Sequence, residues 1–188
     1  ESWDRIFNRP IGELKIPRED RELLRGLIYF EPLPFVDRVV FISTPHKGSS
    51  IASKPIGKLG SRLIEVPNTL VELSSKLLAN AQGALTPLGR QIATEIPTSI
   101  DQLRPDNELI KILEAMKRNP EVTYHSIVGR ERKNGPLEKS SDGVVPYLSA
   151  HLDDPKISEL VVHSEHNAHQ SKEGIAELGR ILKLHLKE

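Results

Sequence analysis

Three short apolar runs constrain this chain more than any other feature. They are VDRVVFIST (36–44), VTYHSIVG (122–129) and ISELVVHS (157–164). Each is rich in β-branched residues, bounded by turn-forming or polar residues, and too short for a buried helix, which is the pattern of a buried strand. Long segments with helical periodicity separate them. Successive strands joined by long crossovers pair in parallel and need helices to cover the sheet. The expected fold class is therefore α/β, with about three parallel strands covered by helices. In such open sheets functional groups collect where the carboxyl ends of the strands meet loops. Three loops leave those ends: TPHKGS (44–49), the polar loop holding Asp142, and SEHNAH (164–169).

The intervening segments are punctuated by many of the chain's 14 prolines. PREDRELLRGLIYF (17–30) opens with Pro and acids and spaces Leu23, Leu24, Leu27 and Ile28 as a helix does. Residues 50–119 form short amphipathic pieces broken by Gly and Pro, among them IGKLGSRLIEVP, NTLVELSSKLLANAQ and TPLGRQIATEI. Asn68 is placed to cap the second piece, and Leu70, Leu73, Leu77 and Leu78 share one of its faces. These pieces serve either as ordinary helices packed on a core or as a lid over a pocket. A further helix is expected within 104–120, and a short one in VVPYLSAHL. The last runs over 171–186, with Ser171 as N-cap and Ile175, Leu178, Ile181, Leu182 and Leu186 as its apolar stripe.

Charge and composition exclude several classes. Twenty-six basic residues balance 26 acidic ones, which argues against a nucleic-acid partner. No cysteine is present, so neither disulfides nor thiolate metal sites are available. No apolar run reaches the roughly 18 residues of a transmembrane helix, and ESWDRIFNRP has no signal-peptide pattern. The 188 residues suffice for a single domain with a real core.

Asp142 follows the second strand and His166 follows the third. An imidazole titrates near neutrality and suits a general base, and a carboxylate fixes its tautomer. Taken singly, Asp142 before Gly143 reads as a turn residue and His166 as a polar loop residue. As a pair at successive strand ends they read as catalytic acid and base. His163 and His169 flank His166 at intervals of three, which raises a three-histidine metal site as an alternative. That spacing across a strand-to-loop junction does not put three imidazoles on one face, and no metal or cofactor is expected. His46 lies in a strand-end loop with no chemical role of its own.

The segments VVFISTPHKGSSIA, SSDGVVPYLSAHL and VVHSEHNAHQSKEGIAELGRIL resemble the C-terminal half of bacterial α/β-hydrolases of the lipase/esterase type. The resemblance covers nearly the whole chain. It implies a partial α/β-hydrolase domain over 1–188, with 50–119 as the helical cap insertion. It also implies Asp142 as triad acid, His166 as triad base, and a carboxylic, lipid-like ester as substrate for hydrolysis or acyl transfer. The family order is Ser, then Asp or Glu, then His, with the Ser in G-x-S-x-G. No G-x-S-x-G occurs in this sequence. The expectation is a C-terminal part of a larger hydrolase, inactive by itself, whose nucleophile lies upstream of Glu1. The free edge of the first strand, Val39–Ile42, is then expected to pair with the missing half or with a second copy as a dimer. A non-catalytic interaction module on the same half-fold is the competing reading.

Overall fold

The structure, a computed structural model, describes residues 2–29, 33–50, 67–94 and 103–187. The chain forms two compact units, Glu1–Pro32 with Leu59–Asp101, and Leu33–Lys58 with Gln102–Glu188.

In the first unit the described helices are α1 (Ser2–Ile6), α2 (Arg18–Ile28), α3 (Asn68–Asn80) and α4 (Pro87–Thr94). Their apolar faces meet in one cluster that includes Trp3, Phe7, Leu24, Leu73, Leu77 and Leu85. Trp3 and Phe7 stack at 4.2 Å between ring centroids. A half-buried ion pair, Lys76 Nζ to Asp20 at 2.9 Å, ties α3 to the first turn of α2. Helix α2 matches the expected span. Asn68 is the first residue of α3 rather than its cap. Pro67 takes the cap position, and its carbonyl accepts from the backbone N–H groups of Leu70 and Val71. Proline is preset for that entry and needs no side-chain cap. Leu73 and Leu77 are buried, with Leu70 and Leu78 partly so. The piece IGKLGSRLIEVP lies outside the described residues except for its last proline. Of the expected cap region, α3 and α4 belong to the first unit.

The second unit is an open sheet of three parallel strands in the order β1 (Arg38–Ile42), β2 (Thr123–Gly129), β3 (Ser158–Val162). Each strand falls inside its expected run. The register sets Val40 beside His125 and Ile127 beside Leu160. Helix α5 (Glu108–Ala115) is capped by Asn107, whose side chain accepts from Leu109 N at 2.8 Å. Helix α6 (Tyr147–Ala150) follows Pro146. Helix α7 (Lys172–His185) is capped by Ser171 as expected, its hydroxyl accepting from Gly174 N at 2.9 Å.

The pleat separates two apolar layers. Ile127, Val162 and Ala168 form one cluster, joined by Val40, Ile42, Leu160 and Leu178 of α7. Val128, Val145, Tyr147 and Ala150 form the other with Val161. Only part of the expected α7 stripe is used: Ile181 is buried and Leu178 half-buried, whereas Ile175, Leu182 and Leu186 are exposed. The helix meets the sheet along one narrow line, and residues about 100° around it face away.

Ile127 has no exposed surface. Truncation of its side chain at the centre of the sheet leaves a cavity that neighbouring strands cannot close. Ile127→Ala should cost about 2–5 kcal/mol in urea unfolding, with the sheet's far-ultraviolet signal retained at low denaturant.

Candidate functional site

Asp142 sits in a tight Asp-Gly turn beyond β2. Gly143 has φ of 89°, a conformation that favours glycine. The turn folds Asp142 back on its own backbone. Oδ1 accepts from Val144 N at 2.9 Å and from Val145 N at 2.7 Å. Asp142 is 2 % exposed. Asp142 makes the turn, and the turn aims its second oxygen toward the exposed His166 ring. That oxygen, Oδ2, accepts from Nδ1 of His166 at 2.8 Å. A carboxylate only accepts, so the bond fixes the imidazole proton on Nδ1. Nε2 is left as the ring's acceptor, and no described residue bonds it.

His166 is positioned by the end of β3. Arg130 N donates to Val162 O at 2.8 Å, and Ser164 N donates to Arg130 O at 3.1 Å, which holds the two strand ends together past the ladder. Behind His166, Ala168 is buried, and Gly174 of α7 lies against Ala168 O so closely that a Cβ would stand 2.0 Å from it. The last residue of β2, Gly129, is where the Asp142 turn and the His166 loop converge. A Cβ there would lie 2.9 Å from Asp142 Cβ and 3.0 Å from Glu165 O.

The loop after β1 completes this edge. Ser49 Oγ donates to Val144 O at 2.5 Å, next to the N–H that holds Asp142. Lys47 N donates to Ser149 Oγ at 3.1 Å, and Ser149 Oγ donates to Gly48 O at 2.6 Å. Gly48, with φ of 76°, passes Leu103 O so closely that a Cβ would stand 2.6 Å away. Ser43 has φ of 47° directly after the strand, the kind of backbone strain that collects at functional sites. Its hydroxyl, however, is buried and accepts from Gly129 N at 3.2 Å. That arrangement braces the two strand ends and does not present the hydroxyl to a base.

The remaining histidines go elsewhere. His163 lies just past β3, exposed, with Nδ1 donating to Arg130 O at 3.1 Å. His169 is exposed beside Gln170. Among the described residues no group of three His, Asp or Glu side chains is arranged to hold a metal ion. His46 packs edge-on against Phe41 at 4.6 Å, and burial, then Arg118 and Lys47, hold its pKa below the usual histidine value.

One polar group was not foreseen from the sequence. Glu159 of β3 accepts from Tyr147 OH at 2.8 Å and pairs with His151 Nδ1 at 2.9 Å. Burial, then the bond to Glu159, pushes the Tyr147 phenol up to about 12. The i, i+4 spacing of Tyr147 and His151 was readable, but their common partner on β3 was not.

Comparison with protein-family models, curated proteins and solved structures gave no match.

Two outcomes follow from this geometry. In Asp142→Asn the new amide N–H faces Nδ1, so the His166 proton should move to Nε2. Imidazole nitrogen shifts from two-dimensional NMR distinguish the two tautomers, and an unchanged tautomer would show that Asp142 does not set it. The Tyr147 phenol ionises more readily in the unfolded chain, near pH 10, than in the fold, at about 12. Its contribution to stability is whole below pH 10 and falls as pH rises toward 12. Unfolding midpoints at about pH 9 and about pH 11 should show this loss, and Tyr147→Phe should flatten it.

Proposed function

We propose that Asp142 and His166 are the acid and base of a serine hydrolase acting on carboxylic esters, on an α/β-hydrolase-like sheet. The observation that supports this most directly is the 2.8 Å bond between a buried carboxylate past β2 and an exposed imidazole past the neighbouring parallel strand. The bond leaves Nε2 as the acceptor for a hydroxyl proton. The base takes that proton as the hydroxyl attacks the acyl carbon, then returns it to the leaving alcohol. The buried carboxylate stabilises the imidazolium that forms between the two steps. Water completes hydrolysis, and an alcohol in its place gives acyl transfer. An apolar, lipid-like acyl group is the substrate class that the resemblance implies.

The nucleophile in this reading is a serine outside the present sequence, which has no G-x-S-x-G; Ser43, at the end of β1, is occupied as a brace. The outer side of β1, which has no strand partner among the described residues, is where the strand carrying it would pair. The 188-residue chain alone should leave p-nitrophenyl butyrate at the background rate of its own His166→Ala variant. With the nucleophile-bearing segment joined to it, His166→Ala should lower kcat by roughly 10⁶ and Asp142→Asn by roughly 10⁴. Hydrolysis that ignores both substitutions defeats the proposal. Turnover by the isolated chain that is abolished by Ser50→Ala, with His166 intact, moves the nucleophile inside it.

A further inference from the structure

Strand β1 gives way to a residue in a strained conformation. Ser43 has φ of 47° and is the one non-glycine residue with positive φ among those described. Cβ crowds the backbone there, so residues other than glycine, asparagine and aspartate rarely adopt it. Strain of this kind persists only where the surroundings hold it in place. What holds it here can be read from the ladder between β1 and β2.

Parallel strands are joined by evenly spaced bonds that alternate in direction along the pair. Ser43 N donates to Ile127 O at 2.9 Å. With Ile42 beside Ile127, the next bond of the ladder would run from Gly129 N to Ser43 O, and the one after from residue 45 to Gly129 O. Residue 45 is a proline and has no N–H to give. The ladder cannot continue, and the chain turns at Ser43. The serine side chain then stands in for its own carbonyl: Gly129 N donates to Ser43 Oγ at 3.2 Å. Both residues are buried, and an unpaired buried N–H is costly. Glycine at position 43 would suit the backbone but bring no acceptor. Alanine would carry the strain without the oxygen. Serine carries the strain and supplies the oxygen.

The N–H that Ser43 holds belongs to the residue on which the two site loops close. A Cβ on Gly129 would lie 2.9 Å from Asp142 Cβ, 3.0 Å from Glu165 O and 3.0 Å from Ser164 Oγ. Gly129 has no side chain to resist rotation of its peptide planes. Released from Ser43, its N–H would turn toward another acceptor or draw in water, and its Cα would shift against the Asp142 turn. We propose that Ser43 is a positioning residue for the Asp142–His166 pair, acting through the N–H of Gly129. Its place in catalysis rests on the reading of that pair as acid and base. Its effect on the geometry of the pair does not, and the test reads that geometry in the chain without substrate.

Two variants separate the hydroxyl from the strain. Ser43→Gly removes both, and Ser43→Ala removes the hydroxyl alone. Imidazole nitrogen shifts at about pH 8, where an ordinary imidazole is neutral, give the ratio of the two His166 tautomers. The parent chain should hold mainly the Nδ1–H form. In both variants the ratio of that form to the Nε2–H form should fall about three-fold or more, because a hydrogen bond weakens steeply as its distance and angle drift. Circular dichroism melts distinguish this from a loss of fold. Ser43→Ala should melt about 2–4 °C below the parent, and Ser43→Gly within about 2 °C of it. A tautomer ratio that changes in a variant as stable as the parent is an effect on position. Ser43→Gly with the parent's ratio overturns the inference, whether or not Ser43→Ala changes it. So does Ser43→Gly melting below Ser43→Ala, which would mean that the backbone at position 43 is not under strain. Neither readout depends on esterase activity, so a chain that hydrolyses nothing still decides the question.

Discussion

The carboxyl edge of the sheet depends on a missing side chain. Gly129 ends β2 where the Asp142 turn, the His166 loop and the brace from Ser43 converge, and a single methyl group there would collide with Asp142 Cβ and Glu165 O. Because the position is empty, two loops from neighbouring strands approach closely enough for a direct carboxylate–imidazole bond. Any larger residue would push them apart by a few tenths of an ångström or more. Hydrogen bonds weaken steeply as distance and angle depart from ideal. Backbone economy at one residue thus governs the geometry of two side chains far apart in sequence.

Around that point, precision comes from many small ties. A single neutral hydrogen bond contributes only about 1 kcal/mol net. The loop after β1 makes several to the acid segment, through Ser49 to Val144 and through Ser149 to Lys47 and Gly48. Ser49 anchors the carbonyl of Val144, whose own N–H donates to Asp142. A carboxylate that fixes the orientation of an imidazole does so best when its own orientation is already settled. Here the settling is done by serines in two loops that sequence periodicity describes only as polar.

The strands and the Asp142–His166 pair were legible because each signal was local and repeated. Runs of β-branched residues placed all three strands, and the order acid-then-base at successive strand ends placed the pair. What was illegible depended on tertiary packing. Asn68 looks like a cap, but Pro67 before it enters the helix first. The five apolar residues of α7 read as one stripe. Only contact with the sheet divides them into a used face and an unused seam. Gly129 reads as a strand terminator until the loops around it are known. Ser49 and Ser149 carry no signal at all without the fold.

The second histidine–carboxylate pair shows what a distance alone fails to establish. His151 bonds Glu159 through Nδ1 at 2.9 Å, nearly the length of the His166 bond. The surroundings differ. Glu159 also accepts from the Tyr147 phenol, and the Tyr147 and His151 rings stack at 5.1 Å, so that imidazole is packed into a closed group. Glu159 is on the opposite face from Ile127, near the start of β3, at the amino edge of the sheet rather than at the edge where loops leave the carboxyl ends of the strands. Asp142 is instead held by two backbone N–H groups and gives its second oxygen to the imidazole. His166 projects from a strand-end loop, its side chain 44 % exposed. One pair uses its bonds to join a helix to a strand. The other uses buried backbone to hold an exposed ring in one tautomer, with Nε2 bonded by no described residue, which is the arrangement that a proton acceptor needs.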